Sequence, residues 1–167
     1  MIQVYTGNGK GKTTAALGLA LRACGAGMKI YICQFLKGQE YCELLALKKF
    51  KNIKIEQFGT GCFVRKSPTQ KDIALAKEAL RRINEILKGK EYGVVILDEI
   101  NVALSLNLLK LNDVTRLLRT APTKIELILT GRNAHPQILK LADLVSEIKE
   151  VKHYFRKGVK ARKGIEY

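Results

Sequence analysis

The chain has 167 residues, 47% of them hydrophobic and only 3 of them Pro, which suits one domain with a proper core and excludes a disordered segment. No apolar run reaches the roughly 18 residues of a membrane span. The four cysteines, Cys24, Cys33, Cys42 and Cys62, make no C-x-x-C pair, so they read as core fillers or bystanders, not as a zinc or disulfide framework. Lys+Arg number 30 against 15 Asp+Glu, a formal charge of +15. That charge fits phosphates, nucleic acid or an acidic protein as partners without choosing among them, and a generally Lys-rich surface is the blander account.

No charged-then-apolar leader precedes the first strand, so a cytoplasmic location is expected. Short β-branched runs predict strands over 2–6, 29–35, 53–58, 93–98, 125–130 and 144–148. Residues 12–25 are apolar nearly all round, as in a helix packed on a sheet. Over 68–88, Ile73, Ala76, Leu80, Ile83 and Leu87 step along one helical stripe. Its start reads as a Ser67 cap, Pro68 in the first helical position and Gln70 in the third. Further helices are predicted near 112–120 and 136–142. Such alternation gives an α/β fold, a mostly parallel sheet with helices on both faces, spanning 1–167 as a single domain. Ligands should bind beyond the carboxyl ends of the strands. The tail 152–167 is basic and without periodicity, so a solvated end is expected.

The stretch "YTGNGKGKTT" follows the first strand and opens the first helix. Gly7, Gly9 and Gly11 let successive N–H groups turn inward, and the helix N-terminus adds its dipole. Lys12 supplies a charge, Lys10 a second one, and Thr13 a hydroxyl for Mg²⁺. The usual phosphate loop has a glycine where this chain has Thr6; here the glycine stands one place later. "VVILDE" places Asp98 and Glu99 at the end of a buried strand, where a carboxylate can hold Mg²⁺ directly or through its waters. Spacing does not say which of the two does so. Arg132 ends another strand within reach of phosphates. No residue stands out for activating water, although Glu99 could serve. On the residues alone, two classes stay open: an NTP-hydrolysing, nucleic-acid-binding protein, and a transferase that uses ATP as substrate.

The blocks "YTGNGKGKTTAALGLALRA", "QFLKG", "VVILDE", "LTGRNAH", "LADLVSEIKEVKH" and "GVKARKGIEY" resemble, in this order, the P-loop ATP:corrinoid adenosyltransferases. The resemblance implies a RecA-like P-loop NTPase fold. It implies that Co(I) of a corrinoid attacks the 5′ carbon of ATP and that triphosphate leaves. It assigns the ATP site to Gly7, Asn8, Gly9, Lys10, Gly11, Lys12, Thr13 and Thr14, and the metal, Mg²⁺ or Mn²⁺, to Thr13 and Glu99 with Asp98 beside them. Arg22 matches an arginine lining the family's cavity, or is a plain helix-surface arginine. Well-studied members carry an extra N-terminal helix over the site, whereas this chain starts at the first strand. In the loop 59–65 the family places aromatic residues that displace the lower axial ligand of cobalt. Here Cys62 and Val64 stand at those places, leaving Phe63 or Phe58 for the task; Phe58 also reads as an ordinary core residue. The family implies a homodimer and a reduced flavoprotein donor such as flavodoxin, which the basic surface would steer in. A RecA-like ATPase binding nucleic acid is the alternative, and only Tyr154 and Phe155 interleave aromatic with basic residues as that class requires.

Overall fold

Six segments, most of them rich in Val and Ile, pair into one sheet. They are β1 (Ile2–Thr6), β2 (Ile30–Phe35), β3 (Ile53–Phe58), β4 (Val94–Asp98), β5 (Glu126–Thr130) and β6 (Leu144–Glu147). Their order is β3-β2-β4-β5-β1-β6, and every neighbouring pair is parallel. The computed structural model describes residues 1–61 and 68–167. Expectations that fall on Cys62, Phe63, Val64 and Ser67 lie outside the described residues.

The helices are α1 (Lys12–Gly25), α2 (Cys42–Leu47), α3 (Gln70–Gly89), α4 (Ile100–Ser105), α5 (Leu111–Thr120) and α6 (Pro136–Leu141). Strand alternation divides the core between them. Ile30, Ile32, Val94, Ile96 and Ile128 pack with α1 through Ala16, Leu17, Ala20 and Ala23. Their neighbours Tyr31, Cys33, Val95, Leu97, Leu127 and Leu129 face the other way, onto α3 and α5. Both sheet faces are thus covered, which is why the central strands read as continuous apolar runs and not as alternating ones. Sequence periodicity missed α2 and α4, which have six residues each, too few for a helical stripe to repeat.

The start of α3 differs from expectation. Its cap is Thr69, whose hydroxyl accepts from the Asp72 N–H at 3.2 Å while Asp72 accepts from the Thr69 N–H at 2.9 Å. Pro68 therefore precedes the helix. A Ser-Pro reading was plausible because Pro favours the first helical turn, but the Thr-x-x-Asp pair satisfies two orphan N–H groups at once and fixes the boundary. Asp72 also accepts from the Thr60 hydroxyl at 3.2 Å, tying the loop after β3 to this helix.

A polar cluster joins β2, β3 and α3. Tyr31 donates its hydroxyl to Glu56 at 2.5 Å, and Arg82 donates to the same carboxylate at 3.0 Å. Burial would raise the Glu56 pKa, but the bonds from Arg82, Tyr31 and Lys54 outweigh it and bring it down to about 2. A carboxylate depressed in the folded state adds stability above its unfolded pKa and loses it as pH falls. Glu56→Gln should therefore lower the thermal midpoint by a few degrees at pH 7. The gap to the parent protein should close between about pH 5 and pH 2, as followed by circular dichroism.

Candidate active site

The loop between β1 and α1 is held open by its glycines. Gly7 has φ +97°, and a Cβ there would collide with the carbonyl oxygen of Ile148 just beyond β6. Gly9 donates its N–H to that same carbonyl at 2.7 Å, and a Cβ on Gly9 would lie 2.8 Å from it. The altered glycine spacing thus has a structural cause: β6 and the residues after it press against the loop where side chains would otherwise stand. Thr6, in the place of the usual glycine, pairs in the sheet with Glu147.

Lys12 is 7% exposed and folds back over the loop, donating to the carbonyls of Gly7 and Gly9, both at 2.7 Å. Burial, and then the charge of Arg132, push its pKa down, with Glu99 working the other way. A partly desolvated ammonium on neutral carbonyls is poised to exchange them for an anion.

Asp98, 1% exposed, is saturated. One oxygen accepts from the hydroxyls of Thr13 at 2.8 Å and Thr130 at 2.7 Å; the other accepts from Gln34 at 3.1 Å and Lys37 at 2.9 Å. Burial would lower the Lys37 pKa, but Asp98 outweighs it and raises it. Glu99 is the opposite case. It stands at φ 64°, a left-handed turn anchored by its N–H on the Thr130 hydroxyl at 2.9 Å. Its carboxylate accepts no hydrogen bond from the described residues. Burial, followed by the charge of Asp98, raises its pKa, with Lys37, Lys12 and Arg132 partly offsetting the rise. The adjacent acids differ in their surroundings: Asp98 is bonded to Thr13, Thr130, Gln34 and Lys37, while Glu99 lines the cavity.

Lys12, Thr13, Thr14, Glu99, Arg132 and Gly61 line one cavity of about 970 Å³. A second depression, of about 670 Å³ between α3 and α5, contains none of the phosphate-loop residues. Of the residues that the sequence points to, Gly9, Lys10, Gly11, Lys12, Thr13, Thr14 and Glu99 line the cavity together. Asn8 is exposed on the loop. Arg22 is exposed on α1 and does not line the cavity, which takes Leu17, Gly18 and Leu21 from that helix instead. Phe58 is partly buried against the core, as its blander reading holds. Lys37, Gln34 and Thr130 were missed as partners of Asp98; they stand 61, 64 and 32 residues from it in sequence, so no local pattern joins them to it.

The tail also departs from expectation. It is not a free end: His153, Gly164, Ile165, Glu166 and Tyr167 line the cavity, and Lys10 reaches them.

The family model described as "ATP:corrinoid adenosyltransferase BtuR/CobO/CobP" matches residues 1–167. The chain belongs to this adenosyltransferase family. Among its relatives are the corrinoid adenosyltransferase of Escherichia coli, 38% identical over 100% of this chain and 85% of the relative, and that of Pseudomonas aeruginosa, 36% identical over 100% and 83%. Corrinoid adenosyltransferase CobA of Salmonella typhimurium is 37% identical over 100% and 85%. Membership makes the protein a transferase and removes the support for a nucleic-acid-binding ATPase. No described helix is long and apolar enough to cross a membrane.

The different surroundings of the two acids can be told apart by stability. Asp98→Ala leaves Lys37 buried without its counter-charge and should cost about 3–5 kcal/mol in denaturant unfolding. Glu99→Gln removes a carboxylate that burial disfavours, and should leave stability unchanged or slightly raised. A large loss in Glu99→Gln would show that Glu99 is tied into the fold.

Proposed function

We propose that the protein transfers the 5′-deoxyadenosyl group of ATP to the cobalt of a reduced corrinoid, releasing inorganic triphosphate. The observation that carries this reading is the full-length family match, joined to a cavity that holds a phosphate loop and a free acid. The electron pair of Co(I) forms the cobalt–carbon bond. The C5′–O bond breaks, and its electrons leave on the triphosphate. A nucleophile that brings its own electron pair needs no general base, which leaves Glu99 to the metal ion and not to water.

Lys12 and the N-terminus of α1 then meet the charge that grows on the leaving group. Lys12 exchanges its two carbonyl partners for phosphate oxygens. Thr13 donates its proton to Asp98 and so keeps its oxygen lone pairs turned to the cavity. That hydroxyl and the unpartnered Glu99 carboxylate fit a small hard cation beside phosphates, so these two would hold Mg²⁺, with Mn²⁺ able to replace it. When bound, the ion supplies neutralising charge to the triphosphate. Gly61 lines the cavity at the start of the segment that carries Phe63, and we assign Phe63 to the corrin's lower face by resemblance. A reduced flavoprotein such as flavodoxin as donor, and a homodimer as the assembly, complete the proposal; the +15 charge favours an acidic donor.

With ATP, Mg²⁺ and chemically reduced cobalamin, the visible spectrum should develop the bands of a carbon–cobalt bond, with triphosphate as the phosphate product. ADP plus orthophosphate, formed at a rate independent of corrinoid, would overturn the proposal. Lys12→Ala should reduce turnover by about 10²–10³, and near-normal turnover would remove Lys12 from the mechanism.

A further inference from the structure

Lys10 sits inside the phosphate loop, yet its ammonium is spent elsewhere. It donates to the Tyr154 hydroxyl at 3.1 Å, the Ile165 carbonyl at 2.9 Å and a Glu166 carboxylate oxygen at 3.2 Å. An ammonium has three protons, and here each has an acceptor from the segment 153–167. Glu166 is held in turn. It accepts from the Tyr154 hydroxyl and from the Arg162 N–H, the latter at 2.7 Å. The bond from Tyr154, then those of Arg162, keep its carboxyl far below the usual range. The Arg162 guanidinium lies 4.9 Å from the centre of the Tyr154 ring, which closes the cluster.

The segment so fastened brings apolar surface to the cavity. Ile165 is 56% exposed and Tyr167 45%, and both line it together with Leu17 and Leu21 of α1. A triphosphate is recognised by N–H groups and cations, not by such surface. The part of ATP that matches aliphatic and aromatic side chains is the flat base.

We infer that Lys10 is a positioning residue that pins segment 153–167 against the phosphate loop, and that the pinned segment forms the wall for the nucleoside half of ATP. Lys10 then serves ATP binding through Ile165 and Tyr167, not through the phosphates. This rests on the ATP site proposed above.

Calorimetry with two probes, ATP and inorganic triphosphate, each with Mg²⁺, separates the possibilities. Lys10→Ala and Glu166→Gln should each weaken ATP binding about tenfold while changing triphosphate binding less than about threefold, whereas Lys12→Ala should weaken both. The double variant should bind ATP no worse than Lys10→Ala alone, because both substitutions release one wall. Trypsin should cut after Arg162 and Lys163 several-fold faster in either single variant, with the thermal midpoint unchanged. Equal loss of ATP and triphosphate binding in Lys10→Ala would make Lys10 a phosphate ligand and overturn the inference. So would tighter ATP binding in Glu166→Gln, or unchanged tryptic cleavage in both variants. If the parent protein binds neither probe, the ATP site itself is refuted; cleavage still decides whether Lys10 pins the segment.

Discussion

The buried carboxylate of Asp98 organises the site. Four donors converge on it from β2, the loop after β2, α1 and β5, so one side chain fixes the relative position of three strands and the phosphate-loop helix. The arrangement follows from burying a charge: an isolated carboxylate at that depth is prohibitively costly, and full hydrogen bonding with a counter-ion is what makes it tolerable. Thr13 is thereby turned, Lys37 is held in place, and Glu99, one residue on, accepts no hydrogen bond from the described residues and feels the cations Lys37, Lys12 and Arg132 only through space.

This difference between neighbouring acids depends on backbone geometry. Asp98 ends the central strand β4 and bonds to Gln34 and Thr130 on the strands either side; Glu99 takes a left-handed turn and lines the cavity. The strand locks the first, while the second is held by its N–H on Thr130. Lys12 spans the loop, donating to the carbonyls of Gly7 and Gly9. Among the described residues the site thus combines the saturated Asp98, the Glu99 carboxylate without a hydrogen bond, and the cations Lys12 and Arg132. That combination suits stabilisation of a departing polyphosphate better than activation of water.

Much of this was legible in the sequence. The strands announced themselves because parallel strands covered on both faces must be apolar throughout, and the loop did so because Gly-x-Gly-x-Gly-Lys-Thr has few other uses after a strand. The limits were of three physical kinds. Helices of a single turn or two, such as α2 and α4, carry no periodicity. Partners distant in sequence, such as Gln34 and Thr130 with Asp98, leave no local trace. The segment 153–167 is fastened by specific polar contacts, not by a hydrophobic stripe, so pattern reading made it a loose end. For Arg22 the sequence left two readings open, because position on a helix is legible there but which side faces the cavity is not; the structure has it exposed on α1.

The strand order has a consequence for how the chain comes to be folded. β1 is made first, yet its two neighbours are β5 and β6, and Lys10 finds its partners 144 to 156 residues further on. During synthesis the first strand and the phosphate loop emerge with nothing to pair against. One edge of β1 waits for β5 (Glu126–Thr130) and the other for β6 (Leu144–Glu147). Contacts of such long separation slow folding and leave an apolar strand exposed meanwhile. Nucleotide binding thus belongs to the finished molecule: an emerging chain that already carries every phosphate-loop residue does not yet have the loop's shape.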